Sequence, residues 1–297
     1  MREKTMNDGI AEWRDWLSFI GSPEQTIMSY HDPLVRFVHD HRMGEKLVSD
    51  VDERTLDLYI NPTSSAGVAT RRLRQAGVKS FFKFCSKKLY CEWNPAELMK
   101  IRYKALTFEQ QEPKVRGHYT EDEFNQLMDY LVDFVDNAKV YCELRRLPRA
   151  RFWANASSLA FWTGLRFGDI CTLEKASLQG DRLIVHTNKR NKRVALDLDL
   201  PYLGEGLIPD LLRKVPENSG IYFFPEEKVL YDRDPACKTW STSFRNWAKY
   251  AGIEGKSFHC LRHAFVTRLR EDGMSYDKIG ELVGHSSEET TKGYAHS

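Results

Sequence analysis

Residues 108–114, Phe-Glu-Gln-Gln-Glu-Pro-Lys, show no hydrophobic periodicity and split the chain into two parts that space their apolar residues differently. Before this break, apolar positions recur at helical intervals. After it, helical runs enclose two short segments that read as strands. A chain of 297 residues with one such break is expected to build two domains, because single cores rarely grow beyond roughly 250–300 residues. The boundary falls between residues 105 and 118, giving a helical domain over residues 1–110 and a mixed one over residues 111–297. The expected fold class is mainly α with a small β-sheet (α+β).

In the first part, Trp13, Trp16, Leu17 and Ile20 share a helix face, and Gly21 closes the segment. Ser22-Pro23-Glu24-Gln25 then reads as a helix start, with Ser22 as cap, Pro23 in the first turn and Gln25 reaching back. Tyr30, Leu34, Phe37 and Val38 would form its buried face. The polar run Asn61-Pro62-Thr63-Ser64-Ser65 precedes a long helix over about residues 68–90, and Asn94-Pro95 ends that run. In the second part, Thr120 and Glu123 form a capping-box signature ahead of Phe124, Leu127, Met128 and Leu131. A helix through residues 157–162 runs to a turn at Gly164. Residues 183–186 and 194–198 read as strands around a polar, basic turn. Helices resume from Trp240, with breaks at Gly252, Gly255, Gly273 and Gly284.

Total charge says little about partners. The chain holds 44 Lys+Arg and 42 Asp+Glu, a net +2, which by itself ranks nucleic acid low. The distribution says more. Residues 71–88 contain seven basic side chains and no acidic one. On a helix, Arg72, Lys79 and Lys83 fall within roughly 40° of one another, Lys87 follows a turn later, and Phe81 lies opposite with Phe84 and Leu73 near it. Solvated helix faces usually mix both signs, so a single-sign stripe points to phosphates. The candidate DNA contacts are Arg71, Arg72, Arg74, Lys79, Lys83 and Lys87, with Arg190 and Lys192 of the polar turn. Acidic runs at residues 121–136 and 271–289 offset this charge in the total. A mean hydropathy of -0.54 and the lack of a long uncharged apolar run exclude a membrane-spanning helix. Six scattered cysteines without a C-x-x-C pair, and a first twenty residues unlike a signal peptide, point to free thiols in a reducing cytoplasm.

Three separated motifs carry chemistry. In Thr163-Gly164-Leu165-Arg166-Phe167-Gly168-Asp169, an arginine follows a glycine turn. Asp169, three residues on, can hold its guanidinium if the segment is helical, although a plain surface pair reads equally well from this motif alone. In His259-Cys260-Leu261-Arg262-His263, His259 and Arg262 share a helix face. Cys260, His263 and His285 lack the second cysteine pair that would complete a tetrahedral set, so no metal is expected. Finally, Val283-Gly284-His285 is followed nine residues later by Tyr294, in a polar segment with few apolar partners.

In this order Arg166, His259-x-x-Arg262, Gly284-His285 and Tyr294 resemble the tyrosine recombinase (phage integrase) family, with a lysine-bearing hairpin between the two arginines as that family requires. Arg72-Leu73-Arg74, Phe81-Phe82-Lys83-Phe84 and Asn94-Pro95-Ala96 are similar to the family's core-binding domain. The resemblance therefore covers nearly the whole chain, with residues 111–297 as the catalytic domain.

The resemblance implies a site-specific DNA recombinase that integrates or excises a mobile or phage element. Tyr294 would attack a phosphodiester, giving a 3′-phosphotyrosyl link and a free 5′-hydroxyl. The bond energy is kept, so neither ATP nor another cofactor is implied. Arg166 and Arg262 would each grip non-bridging oxygens through paired N–H groups. His259 and His285 would be the remaining phosphate-side groups, and His259 would help take the proton from Tyr294. A hairpin lysine would protonate the leaving oxygen. Lys189 is preferred to Lys192 because it stands nearer the end of the first strand. Asp169 would orient Arg166, where many relatives carry Glu. The implied partners are double-stranded DNA with a specific core site, held in a C-shaped clamp, and further copies of the chain, a tetramer in the synaptic complex. The implied location is the nucleoid of a prokaryotic host. Only three residues follow Tyr294, so the docking helix found in many relatives is not expected, nor is an arm-site-binding domain at the other end. Two alternatives stand beside this reading. A type IB topoisomerase uses the same chemistry, but the core-binding pattern and His285 favour recombination. A DNA-binding module without catalysis is disfavoured by the intact residue set.

Overall fold

The computed structural model describes residues 2–62, 66–102, 117–188, 192–215, 218–234 and 238–284. The chain divides into two compact units, Met1–Lys114 and Val115–Ser297. The aperiodic segment at 108–114 lies outside the described residues, as do Lys189, Arg190, His285 and Tyr294.

The first unit is helical: α1 (Met6–Phe19), α2 (Glu24–Asp40), α3 (Glu53–Ile60) and α4 (Val68–Lys87). Helices α1, α2 and α3 all pack on α4. Apolar residues at helical spacing bury Trp13, Ile27, Leu34, Tyr59, Phe81 and Phe82 in one core. Trp13 meets Phe81 edge-on at 5.5 Å. The turn after α1 corrects the expected cap of α2. Gly21 takes a left-handed conformation with its N–H on the Ser18 carbonyl, and the Ser22 N–H bonds back to the Leu17 carbonyl (3.0 Å). Ser22 thereby closes α1 in a Schellman turn. Pro23 occupies the cap position of α2 without any side-chain cap.

The α4 stripe is also narrower than expected. Arg71 is only 2% exposed. Its guanidinium bonds the Ala66 and Pro62 carbonyls and the Asn61 side chain. Arg74 turns inward as well, donating to the Tyr59 carbonyl and lying over the Tyr59 ring. Both serve the fold because the loop before α4, for Arg71, and the end of α3, for Arg74, present carbonyl oxygens to their side of the helix. Leu73, expected near the apolar face, is 39% exposed instead. Arg72, Lys83 and Lys87 are exposed and Lys79 half-buried, so these four, with exposed Lys88 at the C-cap, make the outward cationic face.

The second unit is built around α7. Its helices are α5 (Glu121–Asn137), α6 (Tyr141–Leu144), α7 (Leu147–Thr163), α8 (Phe167–Cys171), α9 (Leu207–Arg213), α10 (Pro225–Arg233), α11 (Lys238–Tyr250), α12 (His259–Glu271) and α13 (Tyr276–Val283). The Thr120–Glu123 capping box forms as expected, with bonds of 2.8 and 3.2 Å. Helix α7 is buried all round over residues 156–161, while its first turns keep Pro148 and Arg151 exposed. It packs against α5, α8, α9 and α12. Three antiparallel strands, β1 (Leu178–Gln179), β2 (Arg182–His186) and β3 (Arg193–Asp197), form the small sheet. Leu183 pairs with Leu196 and Val185 with Val194, so one face of the hairpin is apolar and buried. Helix α13 packs on β3 and α12. Among the described residues no helix is long and apolar enough to cross a membrane.

Candidate active site

Gly164 is the point at which three elements meet. It follows α7 with φ +65°, and an added Cβ would lie 2.4 Å from Phe265 of α12 and 3.0 Å from Val283 of α13. Only glycine suits both that conformation and that crowding. The chain then extends through Leu165, and Arg166 takes the N-cap position of α8.

Arg262 joins the separated motifs. It sits in the first turns of α12, is 2% exposed, and is among the largest buried side chains. Its Nη1 donates to the Gly164 carbonyl and its Nη2 to the Val283 carbonyl, the latter at 2.6 Å. Gly164 lies two residues before Arg166, and Val283 two before His285. One guanidinium therefore ties the α7–α8 turn, α12 and the end of α13. Gly284 caps α13 in a left-handed conformation, the turn that leads into His285. Carbonyl partners orient the guanidinium without neutralising it.

Asp169 lies in the same turn region with its side chain 1% exposed. One oxygen accepts the Asn188 backbone N–H at 2.8 Å, and the other is 3.8 Å from Arg166 Nη1. Burial pushes this carboxyl above its ordinary value, against the pull of the Asn188 N–H and of the Arg166 and Arg262 charges. The expected pairing of Arg166 with Asp169 is thus present as an ion contact longer than a hydrogen bond. The Arg166 side chain is 22% exposed and so reaches the surface.

His259 opens α12, half-buried, one turn before Arg262 on the same face. Its ring stands perpendicular to that of the buried His263, with centroids 5.1 Å apart. Both His259 and Arg262 line a cavity of about 270 Å³, whose remaining walls include Trp153, Phe167, Trp240 and Phe258. Charged groups beside such apolar walls interact more strongly than in water. Among the described residues no group of three His, Cys, Asp or Glu is placed to hold a metal ion.

The structure therefore brings Arg166, Asp169, His259 and Arg262 into one region of the second unit. Lys192 is exposed at the far end of the β2–β3 turn. Two contributors escaped the sequence reading: the aromatic cavity walls and Asn188. Asn188 precedes Lys189 in a turn, and asparagine is common in turns for its own backbone bonding, so its type alone gave no signal.

Residues 117–297 match the model of the phage integrase family. The chain is 26% identical over 300 residues to tyrosine recombinase XerA of Pyrococcus furiosus, covering 99% of this chain and 91% of that protein. It is 22% identical over 282 residues to tyrosine recombinase XerC of Bacillus pumilus, covering 91% and 85%. Its fold resembles that of a lambda integrase tetramer bound to a Holliday junction, with a TM-score of 0.71 and 17% identity over 99% of this chain and 78% of that one. The family model takes in well over half of the chain and every candidate catalytic position, so the chain belongs to the phage integrase family, the tyrosine recombinases.

Proposed function

We propose that this recombinase cuts and rejoins DNA at a specific core site, with Tyr294 as nucleophile. The phenol oxygen attacks phosphorus, the bond to the 5′-oxygen breaks, and the 3′-phosphate stays on the tyrosine. The phenol proton passes to His259. Lys189 gives a proton to the leaving 5′-oxygen. Arg166, Arg262 and His285 bind the non-bridging oxygens, whose charge rises in the transition state, and Asp169 steadies Arg166. The observation that supports this most is the hold of Arg262 on the Gly164 and Val283 carbonyls, because it draws three distant motifs together.

Exchanging two duplexes breaks four strands, and each break consumes one tyrosine. Four copies on paired sites are therefore the working assembly in this reading. The outward α4 residues Arg72, Lys83 and Lys87, with the half-buried Lys79, supply phosphate contacts from the first unit, with Arg190 and Lys192 on the catalytic side. The element served is a mobile or phage one, acting within a prokaryotic nucleoid.

The test uses duplexes from DNA flanking the gene, selected by band shift and then nicked beside the cleavage point so that the released fragment diffuses away. Wild type is expected to accumulate a covalent protein–DNA adduct. Tyr294→Phe should form none, and Arg262→Ala should form it about 10²–10³ more slowly. Binding without any adduct would support a DNA-binding module. Relaxation of a plasmid lacking the site would support the topoisomerase reading.

A further inference from the structure

The turn between β2 and β3 is fastened to α8 by one residue. The Asn188 backbone N–H donates to Asp169 Oδ1 (2.8 Å), and its side-chain amide donates to the Gly168 carbonyl (2.9 Å) and to Thr172 Oγ1 (2.8 Å). The base of the turn is pinned separately. Thr187 is buried, its N–H donates to the Lys192 carbonyl (2.9 Å), and its hydroxyl accepts the Lys192 N–H (3.2 Å). A turn asparagine ordinarily bonds its own backbone two residues on. This one spends its side chain on another element, the short helix whose N-cap is Arg166. The Asp169 carboxylate thus lies between the hairpin, through the Asn188 N–H, and Arg166 at 3.8 Å.

We propose that Asn188 is a positioning residue: it holds the hairpin turn, and with it the general-acid lysine that follows, in register with the Arg166 phosphate clamp, using Asp169 and α8 as the shared anchor. This rests on the reading above in which that lysine protonates the leaving oxygen. In that step the bond between phosphorus and the 5′-oxygen breaks, its electron pair goes to oxygen, and the lysine ammonium supplies the proton. A sulfur in place of that oxygen leaves as a stable thiolate and needs no proton. A defect in placing the acid is therefore erased by a 5′-bridging sulfur, whereas a defect in gripping the phosphate is not.

Single-turnover cleavage at saturating protein should be compared on nicked duplexes carrying oxygen or sulfur at that bridge. Asn188→Ala removes two of the three bonds and is expected to slow oxygen cleavage by roughly tenfold to 10², since general acids contribute on the order of 10²–10⁴. On the sulfur duplex it should cleave within about threefold of wild type. Thr172→Val, which removes the partner hydroxyl, should show the same pattern with a smaller loss. Lys189→Ala should be rescued likewise, and Arg166→Ala should stay slow on both. If Lys189→Ala is not rescued, the reading of the lysine falls, and the role of Asn188 falls with it. If Lys189→Ala is rescued while Asn188→Ala matches wild type on oxygen, the positioning role alone is overturned. If Asn188→Ala is equally slow on both duplexes, a folding defect in that variant would also give the pattern, so the decision then rests on Thr172→Val, whose failure to be rescued by sulfur overturns the role.

Discussion

A guanidinium buried beside aromatic rings is costly unless its N–H groups are paired, and Arg262 pairs two of them with the Gly164 and Val283 carbonyls. Removing it exposes a structural cost as well as a chemical one. Arg262→Ala leaves two buried carbonyls without that partner, at about 1–3 kcal/mol each, so urea denaturation should show a loss of at least about 2 kcal/mol beside the loss of cleavage. Unchanged stability would mean that the carbonyls find other donors. Asp169 behaves in the opposite way. Burial raises its carboxyl above the ordinary 3.8, so the native state binds the proton more tightly than the unfolded chain. Stability therefore falls as pH rises from 3.8 through the folded value. Asp169→Asn keeps an oxygen for the Asn188 N–H and removes that charge. Its urea midpoint should drop less than that of wild type as the pH rises above about 4, while strand cleavage slows. A midpoint that drops equally in both proteins would show that the charge carries no burial penalty.

At the level of elements, the outward face of α4 and its inward arginines make separate predictions. Lys83→Ala or Lys87→Ala should each lower the slope of log affinity against log salt by about 0.9, as one phosphate contact is lost. Arg71→Ala should instead destabilise the first unit, because its guanidinium is spent on Ala66, Pro62 and Asn61. A salt slope that moves with Arg71 and not with the lysines would reverse this assignment. The same helix shows what a sequence can and cannot reveal. Helical spacing correctly placed Phe81 and Phe84 inside, where α4 is covered by its neighbours, but misplaced Leu73, which is 39% exposed. It could not place Arg71, whose burial depends on carbonyls offered by a loop that has no periodic signature. Helix α7 was legible only at residues 157–162, since Arg149, Arg151 and Asn155 interrupt the apolar residues of its first half and leave no clean amphipathic rhythm there. Strand β1, Leu178–Gln179, is too short to alternate. The order of Arg166, His259 and Arg262 was legible because chemistry fixes residue types. The tie through Asn188 was not, because it depends on which element the turn meets.

For the whole molecule, the net charge of +2 is a poor guide to its partner. The cationic face of α4 is balanced in sequence by acidic residues far along the chain, including those of α5. Screening confines each to its surroundings, within about 8–10 Å at ordinary salt, so DNA meets local fields and not the total. Tyr294 lies outside the described residues, and mass spectrometry of the trapped adduct tests its role as nucleophile most directly. Wild-type protein captured on the nicked duplex is digested with nuclease and trypsin, and the peptide retaining a phosphorylated nucleotide remnant is sequenced. Trypsin cuts after Lys292, so the remnant is expected on the peptide that begins Gly293-Tyr294, at the tyrosine. A remnant on any other peptide would contradict that role.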